Sequence, residues 1–153
     1  MPSGLKGHNT DVIGFEKSFL PLLQSHHKAA LVLGTGGASK AAQYVLKRLS
    51  IPFLVVSRAA GDLLYKEVNE EILQTHSIII NCSPVGMSPN EGSAPELPYE
   101  FITAKHYLFD MIYKPAETRF LQQGKRRNAV VKNGYEMLLL QAEDNWKIWN
   151  AAI

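Results

Sequence analysis

Cysteine is almost missing from this chain of 153 residues: Cys82 stands alone, which excludes an internal disulfide and a cysteine-built metal cluster and points to a reducing compartment. An excess of charge of one sign is missing too. The 16 Lys and Arg are interspersed with 14 Asp and Glu, leaving a net charge of +2 and no basic stripe for nucleic acid. No apolar run is long enough to cross a bilayer, and the start, Met1-Pro2-Ser3-Gly4-Leu5-Lys6-Gly7-His8, lacks the apolar centre of a signal peptide. Repeats and low-complexity segments are absent as well. His8, His26, His27, His76 and His106 show no metal-ligand spacing, and the adjacent His26-His27 pair reads as part of a solvated loop. What remains is a soluble, cytoplasmic chain of one-domain size, monomer or homodimer, with 46% hydrophobic residues to build a core and a small molecule as its expected partner.

The informative stretch is Leu31-Val32-Leu33-Gly34-Thr35-Gly36-Gly37-Ala38-Ser39. Ala29 to Leu33 is a short apolar run of the kind found in strands covered on both faces. Ala41, Ala42, Val45, Leu46 and Leu49 then recur at helical spacing, so the glycines join a strand to a helix. Residues without Cβ let the backbone come close to a ligand, and the first turn of a helix offers unpaired N–H groups to an anion. The dinucleotide fingerprint Gly-x-Gly-x-x-Gly is met here with Ser39 in its third glycine place.

Upstream, residues 1 to 8 read as an irregular lead-in, its abruptness implying a parent chain that extends before Met1. A helix is expected from about 12 to 24, or from about 10 with Thr10 or Asp11 as its cap. Downstream, Pro52 to Arg58 is a second buried strand. Its end offers Ser57 and Arg58 where a carboxylate would select an unphosphorylated ribose, so the reading is NADP. Leu63 to Leu73 is a poorly defined crossover. Ser77 to Cys82 is a third strand, placing Asn81 and Ser83 where the nicotinamide half of a dinucleotide passes, with a satisfied turn residue as the plainer reading of Asn81. The proline-bearing stretch Ser88 to Pro98 is a loop. Tyr107 to Tyr113 is a fourth strand, stopped by Pro115, after which a helix through Gln123 begins. Ala129-Val130-Val131 is a fifth strand. Asn133-Gly134 opens a last helix, from about 133 to 150, with Met137, Leu138, Gln141, Ala142, Trp146 and Trp149 along one side. Gln141 is the polar member of that stripe, either bonded to backbone or reaching a substrate hydroxyl. Strands alternating with helices over short connections give a parallel α/β sheet wound on both faces, with at least five strands.

Six signatures stand in one order: Asn9-Thr10-Asp11-x-x-Gly14-Phe15, Gly34 to Lys40, Ser57-Arg58, Asn81-Cys82-Ser83-Pro84-x-Gly86-Met87, Asp110-Met111-Ile112-Tyr113-x-Pro115-x-x-Thr118, and Asn133-Gly134-x-x-Met137-Leu138-x-x-Gln141-Ala142. In this the chain resembles the shikimate dehydrogenases, from about residue 7 to residue 149. The resemblance implies a Rossmann-like, doubly wound NADP-binding domain over residues 1–153, carrying its linking helix and C-terminal helix and lacking the N-terminal substrate domain. It implies NADPH-dependent reduction of 3-dehydroshikimate to shikimate, on the way to chorismate and the aromatic amino acids. Asp11 would pair with a catalytic lysine and bind a substrate hydroxyl; Tyr113 and Gln141 would touch substrate. Gly34, Thr35, Gly36, Gly37, Ala38, Ser57, Arg58, Met111 and Gly134 would touch the cofactor.

The catalytic lysine of the family has no counterpart among Lys6, Lys17, Lys28 or Lys40, so the chain alone is expected to bind nucleotide without turnover. Ser57 stands where asparagine is common in the NADP form. That departure keeps open a quinate/shikimate dehydrogenase paralogue using NAD. A third reading, a non-catalytic nucleotide-binding module, leaves Asp11, Tyr113 and Gln141 without a purpose. Cys82 reads as a packing residue beside the cofactor site.

Overall fold

In the computed structural model residues 2–151 are described, and they form a six-stranded sheet with every strand parallel, in the order β3-β2-β1-β4-β5-β6. The strands are β1 (Ala30–Leu33), β2 (Phe53–Ser57), β3 (Leu63–Leu64), β4 (Ile78–Asn81), β5 (Tyr107–Asp110) and β6 (Val130–Lys132). The helices are α1 (Pro2–Phe19), α2 (Gly37–Arg48), α3 (Glu70–Thr75), α4 (Arg119–Arg126) and α5 (Tyr135–Ala151). The chain leaves β1 toward β2 on one side and later returns beside β1 with β4, which makes the gap between β1 and β4 the switch point where parallel sheets open a crevice.

The central strands carry almost no polar side chain because both faces are covered. Ala30 and Val32 point to one layer with Val12, Phe15, Phe19, Ala42, Val45, Leu46 and Met137, from α1, α2 and α5. Leu31 and Leu33 point to the other, with Leu73, Phe120 and Leu121 from α3 and α4. On the first layer Phe15, Phe19, Tyr107 and Phe109 are fully buried and meet ring to ring, Phe19 lying over Tyr107 at 5.1 Å, and burial of each such ring is worth about 2–3 kcal/mol. The Tyr107 hydroxyl donates to the Phe19 carbonyl at 2.8 Å, fixing the end of α1 to the sheet.

Several sequence expectations change. The lead-in is helical from Pro2, so Asp11 is interior to α1 rather than at its start; the Thr10 side chain, the other expected cap, and Met1 lie outside the described residues. The same helix stops at Phe19 rather than about 24, because Pro21 allows only a 3-10 turn over Leu20–Leu22. His27 is buried rather than solvated, its ring lying between those of His26 and Tyr107 with both pairs tilted. Trp146 and Trp149 are 67% and 71% exposed instead of lying in the core stripe. The physical reason is rotation: at 3.6 residues per turn Trp146 falls about 180° around α5 from Met137. The crossover after β2 resolves into β3, a 3-10 turn over Tyr65–Glu67 and α3.

Candidate nucleotide-binding site

Gly34 ends β1 with φ +107°, and a Cβ there would stand 3.2 Å from the Ser83 amide, so glycine is required for both conformation and closeness. Its own amide donates to Val56 at 2.8 Å, holding the turn to β2. At Gly36 and Gly37 the situation is opposite: an added Cβ would meet nothing within 4 Å. The turn is therefore strict at its base and open at its tip. Thr35, Gly36, Gly37 and Ala38 are all exposed, while Ser39 is buried, its hydroxyl accepting from Gln43 at 2.9 Å.

Helix N-termini differ in a telling way. Asn69 caps α3 by accepting from the Ile72 amide at 3.0 Å, and Thr118 caps α4 by accepting from Leu121 at 3.3 Å. Gly36 gives α2 no side-chain cap, so its first-turn N–H groups and positive dipole end face open space.

That space is a cavity of about 410 Å³ lined by Gly34 to Gly36, Ser57 to Ala60, Tyr65 and Cys82 to Val85. A second cavity, about 520 Å³, shares Cys82, Ser83 and Pro84 with it and runs on to Met87, Ser88 and Met111 to Lys114. Together they make one crevice along the carboxyl ends of β1, β2, β4 and β5. The residues present fit a dinucleotide: uncapped amides for its diphosphate, a cation at one end and an apolar-walled recess at the other. Arg58 is that cation, exposed and, among the described residues, paired with no acid.

Ser57 takes a different part from the phosphate donor expected of it. It is buried, its hydroxyl donates to the Ala60 carbonyl, and it accepts from the Ala60 amide at 2.8 Å. Its proton is spent on shaping the turn that presents Arg58. Asn81 is likewise fully buried and fully partnered: its carbonyl accepts from the Ser83 hydroxyl at 2.6 Å and amide at 3.1 Å, and its amide donates to Val85 and Asp110. It builds the turn instead of offering a free group to the crevice. Ser83 and Met111 are half-buried in the crevice walls. Gly134 is buried, and a Cβ on it would stand 2.0 Å from the Met111 carbonyl, so it seats α5 directly on the Met111 backbone. Cys82 is half-buried beside both cavities, with burial pushing its thiol up.

Asp11 and Gln141 come together across α1 and α5, the Gln141 amide donating to the Asp11 carboxylate at 2.8 Å. Gly14 makes this possible, since a Cβ there would come within 2.7 Å of the Gln141 side chain. Tyr113, 47% exposed, stands on the wall of the second cavity, and no hydrogen bond among the described residues joins it to the Asp11–Gln141 pair. Tyr65 was not anticipated: half-buried in the first cavity, its phenol is pushed up by burial and drawn back by Ser83 and Arg58. Only its place after the Arg58 turn could have marked it, in a segment without periodicity.

No protein-family model matches the chain. Among curated proteins it is 34% identical to the shikimate dehydrogenase (NADP(+)) of Caldicellulosiruptor saccharolyticus, over 95% of this chain and 58% of that protein. It is 36% identical to the enzyme of the same name from Aquifex aeolicus, over 94% and 56%. The chain thus spans somewhat more than half the length of the relatives it matches. Among solved structures, a chorismate mutase/shikimate 5-dehydrogenase fusion protein from Clostridium acetobutylicum superposes with a TM-score of 0.78 at 34% identity, over 93% of this chain and 54% of that one. The shikimate 5-dehydrogenase of Thermus thermophilus, in complex with NADP(H) and shikimate, superposes at 0.77 with 25% identity, over 93% and 56%. The doubly wound parallel fold is that of these enzymes.

Proposed function

We propose that these residues are the nucleotide-binding part of a shikimate dehydrogenase, holding NADP(H) in the crevice at the carboxyl edge of the sheet and completed by a substrate-bearing part outside them. The observation that carries this reading is the uncapped N-terminus of α2 above open Gly36 and Gly37, in one crevice with the unpaired Arg58. The amides of Gly37 and Ala38 take the diphosphate, and Arg58 takes the 2′-phosphate through its planar fork of donors. Tyr65 and Val85 flank the adenosine half, and Met111 and Tyr113 border the nicotinamide half.

The reduced nicotinamide supplies the hydride when bound. The chain's own groups place and polarise. Asp11 is the one carboxylate that Gln141 orients, so it holds a substrate hydroxyl and a lysine brought by the other part, and that lysine stabilises the charge developing on the ketone oxygen. Among the described residues no lysine is bonded to Asp11, and on this reading the chain binds nucleotide without reducing 3-dehydroshikimate.

Titration of the chain with NADP+ and NAD+ tests the assignment. Arg58→Ala weakens NADP+ binding about tenfold or more, the scale of one lost charge-assisted phosphate contact, and leaves NAD+ within twofold. Equal losses for both nucleotides overturn it, as does dehydrogenase turnover by the chain alone. One observation favours a second reading, in which NAD is also used: the turn after Arg58 offers only Ala59, Ala60 and Gly61, Asp62 is engaged with the Val55 amide, and the further cation near Arg58, Lys66, lines a neighbouring cavity rather than the one beneath the glycine turn. A native preference for NAD+ in the same titration selects that reading.

A further inference from the structure

We propose that Asp110 is a positioning residue for the nicotinamide half of the nucleotide, its buried carboxylate tying together the two walls of the second cavity. The proposal rests on the nucleotide-binding reading above and adds to it a residue that touches no ligand.

One wall is the turn after β4, from Cys82 to Ser88, and the other is the segment after β5, from Met111 to Lys114. Asn81 and Asp110 stand opposite each other at the last register pair between those strands. Asp110 is fully buried and no cation bonds to it among the described residues. An ionisable group so placed is costly unless its oxygens are satisfied. They are satisfied entirely by wall elements. Oδ1 accepts the Ile112 amide at 3.0 Å and the Asn81 side-chain amide at 3.2 Å, while Oδ2 accepts the Thr118 hydroxyl at 2.7 Å.

Each partner passes the constraint on. The bond from Ile112 turns the chain out of β5 so that Met111 and Tyr113 flank the recess. Asn81 hands its own carbonyl to Ser83 and thereby fixes the opposite turn. Thr118 both donates to Asp110 and caps α4, closing the loop that contains Tyr113 and Lys114. At the rim the Ser88 amide reaches the Lys114 carbonyl at 3.1 Å, joining the walls a second time. Both groups on Oδ1, the Ile112 N–H and the Asn81 NH2, can only donate, so an acceptor is required there; an amide at this position keeps that oxygen but turns its NH2 toward the Thr118 hydroxyl, which must then give up its own donation and accept instead. The two cavities share the turn from Cys82 to Pro84, but the side of the first cavity built by the glycine turn, Arg58 and Tyr65 takes part in none of these bonds.

The test is a split between ligands. NADP+ and adenosine 2′,5′-bisphosphate, which carries the phosphorylated adenosine half without the nicotinamide, are titrated into the native chain, Asp110→Asn and Thr118→Val. The native chain binds NADP+ more tightly than the bisphosphate. Asp110→Asn loses that advantage, its NADP+ affinity falling about tenfold while the bisphosphate stays within twofold. Thr118→Val, which removes one of the three donors and keeps the volume, shows the same split at two- to fivefold and decides the matter if Asp110→Asn does not fold. Parallel losses for both ligands make Asp110 a general stabiliser and overturn the proposal, as do unchanged affinities or a native chain with no preference for NADP+. Failure of both ligands to bind the native chain overturns the nucleotide reading instead.

Discussion

The two edges of the sheet hold cavities of opposite character. At the amino edge lies the larger, about 960 Å³, between the start of β5 and the end of α3, lined by His26, Lys28, Glu70, Glu100, Lys105 and His106 among others. At the carboxyl edge the two smaller recesses make the crevice. Size points to the first and chemistry to the second. At the amino edge the charged side chains are exposed and of both signs, and the buried imidazole of His106 is consumed by the fold, accepting from Thr103 at 3.0 Å and donating to the Leu73 carbonyl at 2.8 Å. At the carboxyl edge the uncapped amides of α2 and the unpaired guanidinium of Arg58 are left over. A binding site is marked by polar groups that the fold leaves unspent, rather than by the volume it leaves empty.

The sharpest way to break this comparison is at Gly134. With only 2.0 Å between an added Cβ and the Met111 carbonyl, Gly134→Ala must push α5 off the segment that walls the nicotinamide recess. The expected loss is about 3 kcal/mol or more in urea unfolding, together with nucleotide binding, the largest effect of any single methyl group here. A loss below about 1 kcal/mol shows that the carboxyl edge yields easily and is no preformed site.

Acid sharpens the comparison next, because the edges respond to it with opposite signs. Burial lowers His27 and His106 below their ordinary 6.5, with His26 adding to the effect at His27. Unfolding lets both take up protons, so the stability they contribute is whole above pH 6.5 and is lost as pH falls below it. Burial raises Asp110 from 3.8 to about 6, against the pull of Thr118, Ile112 and Asn81. Its folded form holds the proton more tightly than the unfolded chain does, so between pH 6 and 4 it adds stability as pH falls, up to about 3 kcal/mol for a shift of roughly two units. Urea midpoints of the native chain should decline from pH 7 to 5, and decline more steeply in Asp110→Asn, where the offset is gone. Identical slopes mean that the carboxyl edge does not hold its aspartate in the way described.

Much of the carboxyl edge was legible because backbone demands there fall on residue type: Gly34 takes a positive φ and a close approach to Ser83, and Gly36 and Gly37 leave the tip of the turn open. The strands β1, β2, β4 and β5 were legible through their unbroken apolar runs. The ends of elements were not. Tyr107 to Tyr113 reads as one strand, yet Asp110 captures the Ile112 amide and ends the ladder early, and the next helix waits for Thr118 to cap it at Arg119. β3 is two residues long and carries no period. Ser57 and Asn81 both have their polar groups bonded within the fold, Asn81 as the satisfied turn residue of its plainer reading; a sequence shows that a hydroxyl or amide is present without showing which neighbour has already claimed it. His27 was misplaced for a related reason: adjacent histidines look solvent-borne until Tyr107 is seen beneath one of them.

Gly36 provides the smallest effect on the fold and the cleanest reading of the site. Its φ is −82°, open to any residue, and nothing lies within 4 Å of an added Cβ, so Gly36→Ala changes stability by no more than about 0.5 kcal/mol. The same methyl group would project into the cavity shared with Arg58, over amides left free to receive a diphosphate. NADP+ binding therefore weakens at least tenfold in a protein whose unfolding curve overlays the native one. If affinity is retained, the free amides at the tip of the turn are merely solvated, and the difference between the two edges loses its chemical meaning.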